Sequence, residues 1–135
     1  MHQTFFKHQM EPRAVTKAKK RKAAEKALED AYAEVDRRDG SICWVTGRYA
    51  VAGAPDRRVR REHHHLAGRN CEPSWVTDPD RIITVVAEAH QLITDGFIAV
   101  EGDDARKPIR FHWASHVPAS SRILVIKSRR WSAND

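Results

Sequence analysis

EHHHLAGR, residues 62–69, sets three consecutive histidines, His63, His64 and His65, just ahead of Leu66-Ala67-Gly68, where a strand can end. Val59 to His65 is a β-favouring run, so the imidazoles fall where a strand should finish and project into a cleft. A histidine run at a terminus reads as an affinity tag, but this one is internal. Adjacent residues on a regular strand point to opposite faces. His64 and His65 can therefore share one site only if the strand bends or ends there, which Leu66-Ala67-Gly68 allows. The plain alternative is a strand end with exposed imidazoles. Against it stands His90, 25 positions after His65 on a predicted helix. Where a strand end meets a helix face, two neutral imidazoles make half of a divalent metal site, with water or phosphate oxygens filling the rest.

Outward from this stretch the chain alternates in type. Residues 1–12 read as a loose lead-in ending at Pro12. From Ala14 to about Arg38 there is neither Gly nor Pro, and Ala, Lys, Glu and Leu dominate, so a helix is predicted. Its apolar positions Ala24, Ala27, Leu28, Ala31, Tyr32 and Val35 recur at helical spacing, and Asp39-Gly40 stops it. Ile42–Val45 and Val59–His65 are predicted to pair as a hairpin across Gly47–Pro55. After an irregular stretch, Ile82, Ile83, Val85 and Val86 lead into a second helix carrying His90, Leu92 and Ile93 and closed by Asp95-Gly96. Phe97–Val100 and Ile109–Trp113 read as a further hairpin, and Ile123–Ile126 as a last strand. The expected fold is a small α+β domain.

Composition narrows the function classes. A chain of 135 residues with a hydrophobic share of 41% can bury a single core without staples. No apolar run approaches a membrane span, and MHQTFFKHQMEPRAV lacks the apolar stretch of a secretory signal, so a soluble cytoplasmic protein is expected. Cys43 and Cys71 alone cannot build a disulfide framework or a four-cysteine zinc site. The net charge of +6 and pI near 9.7 suit an anionic partner. The basic residues cluster: Arg13, Lys17, Lys19, Lys20, Arg21, Lys22 and Lys26 in the first helix; Arg57, Arg58, Arg60, Arg61 and Arg69 around the histidines; Lys127, Arg129 and Arg130 beside Trp131. The central cluster lies where a phosphodiester would need its charge neutralised. His112 and His116 read as surface histidines, and Trp44, Trp75 and Trp113 as packing residues.

VDRRDGSICWVTG (residues 35–47), EHHHLAGR (62–69) and DPDRIITVVAEAH (78–90) together resemble the HNH endonuclease module, also called the ββα-metal fold. The resemblance covers roughly Val35 to Asp104, and the preceding AYAEVDRRDG helix and following GFIAVEG hairpin also look like small phage-type members. It implies an α+β chain with a ββα-metal core, an N-terminal basic helix and a C-terminal β-hairpin. The implied domains are a basic arm over 1–26, the nuclease domain over 27–115 and a basic tail over 116–135. Carried over, the His-His-apolar triplet falls on His64-His65-Leu66, making His64 a metal ligand and His65 the general base. A register shifted by one would instead make His63 the ligand and His64 the base. The second metal ligand falls on His90. The family's bracing Asn, nine residues earlier, falls on Arg81 beside Asp80. Arginine cannot accept a hydrogen bond from imidazole, so Asp80 or the backbone must brace the base instead. The positions of the two zinc knuckles read Cys43, Thr46, Val86 and Ala89, so apolar packing of Val86 and Ala89 against Ile42 and Trp44 replaces a structural zinc.

The implied activity is metal-dependent hydrolysis of DNA phosphodiesters, with 5′-phosphate and 3′-hydroxyl ends. His65 would take a proton from the attacking water, and one divalent ion on His64 and His90 would stabilise the developing charge. Magnesium or manganese is expected, with zinc or nickel compatible. Double-stranded DNA is the expected partner, held by Arg61 and Arg69 at the flanking phosphates and tracked by Lys19, Lys20, Arg21 and Lys22. A dimer would allow both strands to be cut. The alternatives are a non-catalytic DNA-binding module of the same fold and a metal-binding protein that uses the histidine cluster.

Overall fold

The computed structural model describes residues 2–68 and 72–127. Arg69, Cys71, Arg129, Arg130 and Trp131, singled out above, lie outside them. The chain divides into two compact units, Met1–Asp30 and Ala31–Asp135. Helix α1 runs His2–Asp39, so the lead-in expected over residues 1–12 is helical. The residues flanking Pro12 include no glycine and are fair helix formers. The proline lacks the N–H that would join the ladder, and the helix runs through it.

In the first unit, Lys19, Lys20, Arg21 and Lys22 are all exposed, as are Ala24 and Ala27. The apolar stripe read from the sequence therefore begins later, at Ala31 and Val35, which are buried in the second unit. Lys26 and Asp30 form an exposed i,i+4 ion pair at 3.3 Å, a contact of a few tenths of a kcal/mol.

The second unit holds the rest of the elements. Strand β1 (Arg61–His65) pairs antiparallel with β2 (Ile82–Val86), helix α2 (Ala87–Thr94) follows directly, and β3 (Ile98–Glu101) pairs antiparallel with β4 (Arg110–Trp113). The α+β class and the second hairpin follow the expectation. The partner of β1 does not. Ile42–Val45 forms no strand; Cys43 N–H donates to Arg48 O at 2.8 Å and Gly47 N–H to Cys43 O at 2.9 Å, closing a tight knuckle. The true partner is Ile82–Val86, every residue of which is buried. Ile82 packs with Ala31, Val35 and Tyr32 of α1, while Ile83, Val85 and Val86 enter the main core with Trp44, Ala89, Leu92, Ile98 and Phe111. Burial on both faces removes the polar alternation that marks a strand in sequence. Ile123–Ile126 is likewise not a strand: Leu124 is buried, while Ile123 and Val125 are exposed.

One polar network fixes the hairpin to the end of α1. The carboxylate of Asp39 is fully buried. It accepts from Arg38 Nε at 2.8 Å, Arg38 Nη2 at 3.2 Å and the Thr84 backbone N–H at 3.0 Å. Arg38 also donates to Pro79 O and Ile82 O, both at 2.7 Å. The Arg-Asp pair thus ties the helix terminus to the start and middle of β2. Gly40 and Ser41 then turn the chain away at φ of 59° and 58°, a left-handed pair that ends the helix.

Candidate functional site

The β1 ladder runs without a bend through His65, which pairs with Ile82, and Leu66 N–H still donates to Arg81 O at 2.8 Å. Side chains therefore alternate along the whole histidine run. Glu62 and His64 meet α2: the His64 and His90 rings lie edge to face with centroids 5.4 Å apart, and His90 Nδ1 is 2.8 Å from Glu62 Oε1. His63 and His65 meet α1: Tyr32 stacks on His63 at 4.1 Å and 7°, and stands edge-on to His65 at 6.1 Å. The bend that would have put His64 and His65 on one face is absent, because the hydrogen-bond ladder extends past both. The structure brings His64 together with His90 and sets His65 on the opposite face.

The His64–His90 pair has the spacing and the chemistry of a metal half-site. Two imidazoles bound to one tetrahedral ion at about 2.1 Å would have ring centroids about 5.3 Å apart, close to the separation found. Burial, then the neighbouring His90 and His65, pushes the His64 imidazole down to about 4, so at neutral pH it is uncharged and keeps a lone pair. A carboxylate can only accept, so the His90–Glu62 contact requires the proton on His90 Nδ1 and leaves the lone pair of the neutral ring on Nε2. Glu62 Oε2 in turn lies 3.6 Å from Arg60 Nε. Among the described residues no group of three or more His, Cys, Asp or Glu side chains converges as a complete metal cage. An ion held by the pair would take its remaining ligands from water or substrate oxygens.

On the other face His65 Nε2 donates to the backbone carbonyl of Val76 at 3.0 Å. This bond fixes the proton on Nε2 and the lone pair of the neutral ring on Nδ1. The brace is thus the loop backbone. Asp80, a candidate for that task, directs its carboxylate to Arg106 Nε at 3.4 Å, and its carbonyl accepts from Ala105 N–H at 2.7 Å. Arg81 also serves the loops. Its guanidinium carbon sits 3.8 Å from the Trp75 ring centroid, and Nη1 donates to Asp103 O at 2.9 Å. Arg81 Nε is buried with no hydrogen-bond partner among the described residues. Next to these, Asp104 is held down at about 2 by its hydrogen bonds to Arg106, against the opposing effect of burial.

His63 is committed to structure: its Nε2 lies 2.7 Å from Asp36 Oδ1. Asp36 Oδ2 also meets Arg61 Nη2 at 3.3 Å, and Arg61 Nη1 donates to Ser41 Oγ at 3.2 Å. Of the two registers weighed from sequence, the geometry gives the His90 partner to His64, not His63. Arg61, expected at a flanking phosphate, is engaged with Asp36 and largely covered. His112 and His116 are exposed, as expected, and Cys43 is a buried thiol.

Three contributors went unnoticed in the sequence: Glu62, Tyr32 and Asp36. Glu62 is two residues before His64, so the two-residue strand period alone would have placed it on the same face. Tyr32 and Asp36 are four apart on a helix and share a face, but nothing in the sequence says which strand that face meets. Comparison with family models, with curated proteins and with solved structures finds no match to this chain.

Proposed function

We propose that this chain is a metal-dependent phosphodiester hydrolase, a class in which paired imidazoles hold a divalent ion beside a third imidazole acting as base. Within that class the reading is a DNA endonuclease of the HNH type. The observation that carries it is the pairing of His64 and His90 across β1 and α2, in the chain order strand, strand, helix. A divalent ion at these two nitrogens supplies charge neutralisation for the phosphate and the departing oxygen. His64 and His90 bind it as neutral imidazoles. In this reading His65, whose Nε2 is held by Val76 O, is the base that takes the proton of an attacking water. Magnesium or manganese is the expected ion, and the two imidazole ligands also suit zinc or nickel. The exposed Lys19–Lys22 run supplies charge for the DNA backbone.

A second reading, a DNA-binding module without cleavage, is favoured by one observation: Arg81, in the position of the family Asn, is spent on Trp75 and Asp103. Nicking of supercoiled plasmid separates the two. With manganese or nickel, the wild type should nick, chelator should stop it, and His65→Ala should lower the rate by roughly 10²–10⁴-fold while metal binding persists. DNA retention without nicking under any metal would select the binding module.

A further inference from the structure

Glu62 is the acidic side chain in contact with the imidazole pair among the described residues, and two contacts hold it there. It stands two residues before His64 on β1, on the strand face that meets α2, and receives His90 Nδ1 at 2.8 Å. Arg60, a further two residues back, holds its other oxygen at 3.6 Å. The chain Arg60–Glu62–His90–His64 therefore runs from the strand to the helix and back. Glu62 and His90 are each about one-third exposed, so neither contact is needed to avoid a buried charge. An imidazole presents a metal with whichever nitrogen lacks the proton, and an acceptor on Nδ1–H decides that in favour of Nε2. We propose that Glu62 is a positioning residue of the His64–His90 centre, fixing His90 in its Nδ1–H tautomer and ring orientation so that Nε2 serves as the metal-binding atom. The proposal rests on the metal reading above, and it adds a role for a residue that touches neither metal nor substrate.

The test has two independent readouts on the full chain. In metal-free wild type, long-range ¹H–¹⁵N correlations of the imidazoles should report His90 as the Nδ1–H tautomer. Glu62→Ala should shift His90 towards Nε2–H. Glu62→Gln, whose amide oxygen can still accept, should shift it less. Cobalt(II), followed by its visible absorption, should bind wild type more tightly than Glu62→Ala by about 10–100-fold, with Glu62→Gln between them. Unchanged thermal unfolding in chelator would establish that the variants fold. A wild-type His90 in the Nε2–H form overturns the proposal, as does cobalt affinity in Glu62→Ala within twofold of wild type. Wild-type protein that binds no cobalt while keeping the Nδ1–H tautomer overturns the metal reading itself, and leaves the Glu62–His90 pairing as measured.

Discussion

Replacing Asp39 by alanine should unfold much of what holds the histidine hairpin in place. Its carboxylate is fully buried and is the counter-ion of Arg38, and it also satisfies the Thr84 N–H in the centre of β2. Removal takes a buried carboxylate from the Arg38 guanidinium and the acceptor from the Thr84 N–H. Breaking a buried pair from one side costs about 3–5 kcal/mol, and an orphaned buried donor about 1–3 kcal/mol. The sum is an upper bound, because Arg38 keeps its bonds to Pro79 O and Ile82 O and is 27% exposed, so water reaches it. A loss of about 3–5 kcal/mol is expected, against a total of about 5–15 for a domain of ordinary stability. Urea melts in chelator, followed by tryptophan fluorescence, give the value; the melting temperature should fall by more than ~10 °C. Asp39→Asn keeps an acceptor for Thr84 and loses the charge, so it should fall between. A double-mutant cycle with Arg38→Met isolates the pair, and its coupling should exceed ~1 kcal/mol. A loss below ~1 kcal/mol for Asp39→Ala, or additive single variants, would refute the assignment of this network as the anchor of β2.

Acid should weaken the metal-free protein through His64. Its folded value near 4 lies below the ordinary ~6.5, so the unfolded chain takes the proton first. The stability is complete above about pH 6.5 and is lost as pH falls towards 4, by an amount on the order of 3 kcal/mol. Chemical denaturation across that range in chelator should show the slope in wild type and a flatter profile in His64→Gln; equal slopes would deny the burial of a neutral imidazole. The basic helix makes a separate prediction. Lys19 to Lys22 are four consecutive residues spread over about 300° of helix, so only about two can face a duplex at once. A variant with all four changed to Gln should therefore flatten the log–log salt dependence of DNA binding by about 2 units, measured by fluorescence anisotropy. No change in slope would remove this run from the interface.

Legibility in the sequence followed the physics of each element. Helix α2 and the β3–β4 hairpin were readable because their ends carry Gly96 and Asp95 or a turn-rich loop, signals that act locally. Strand β2 was not, since Ile82–Val86 is buried on both faces and a continuous apolar run has no period to distinguish strand from helix. Losing β2 cost β1 its true partner, and Ile42–Val45 was enlisted in its place although its backbone closes on itself through Arg48 and Gly47. The His64–His90 pairing is independent of that strand's partner. It depends only on β1 lying against the helix that follows β2, whichever strand pairs with β1. The opposite facing of His65 was also implicit in strand alternation, and what sequence could not supply was whether the ladder stopped before it. The Val76 carbonyl that orients His65 had no sequence signal, because every residue has a carbonyl.

Under the proposed reading, the absence of cysteines at three of the four family knuckle positions acquires a physical meaning in this fold. Cys43 Sγ is fully buried and accepts the backbone N–H groups of Thr46 at 3.5 Å and Val86 at 3.3 Å. One thiol thus joins the knuckle to β2. Val86 and Ala89 pack into the main core with Trp44, and Asp39 supplies the polar tie to β2 at Thr84. A unit of this size buries enough surface to stand on such contacts. Under the proposed reading the consequence is a division of labour: the fold is held by apolar packing, one thiol and one Arg-Asp pair, and the imidazoles are released from any structural duty towards a metal. Metal dependence of cleavage and metal dependence of folding then become separable properties, as they are not in a domain that a zinc ion holds together. Chelator should silence the centre and leave the hairpin that carries it in place.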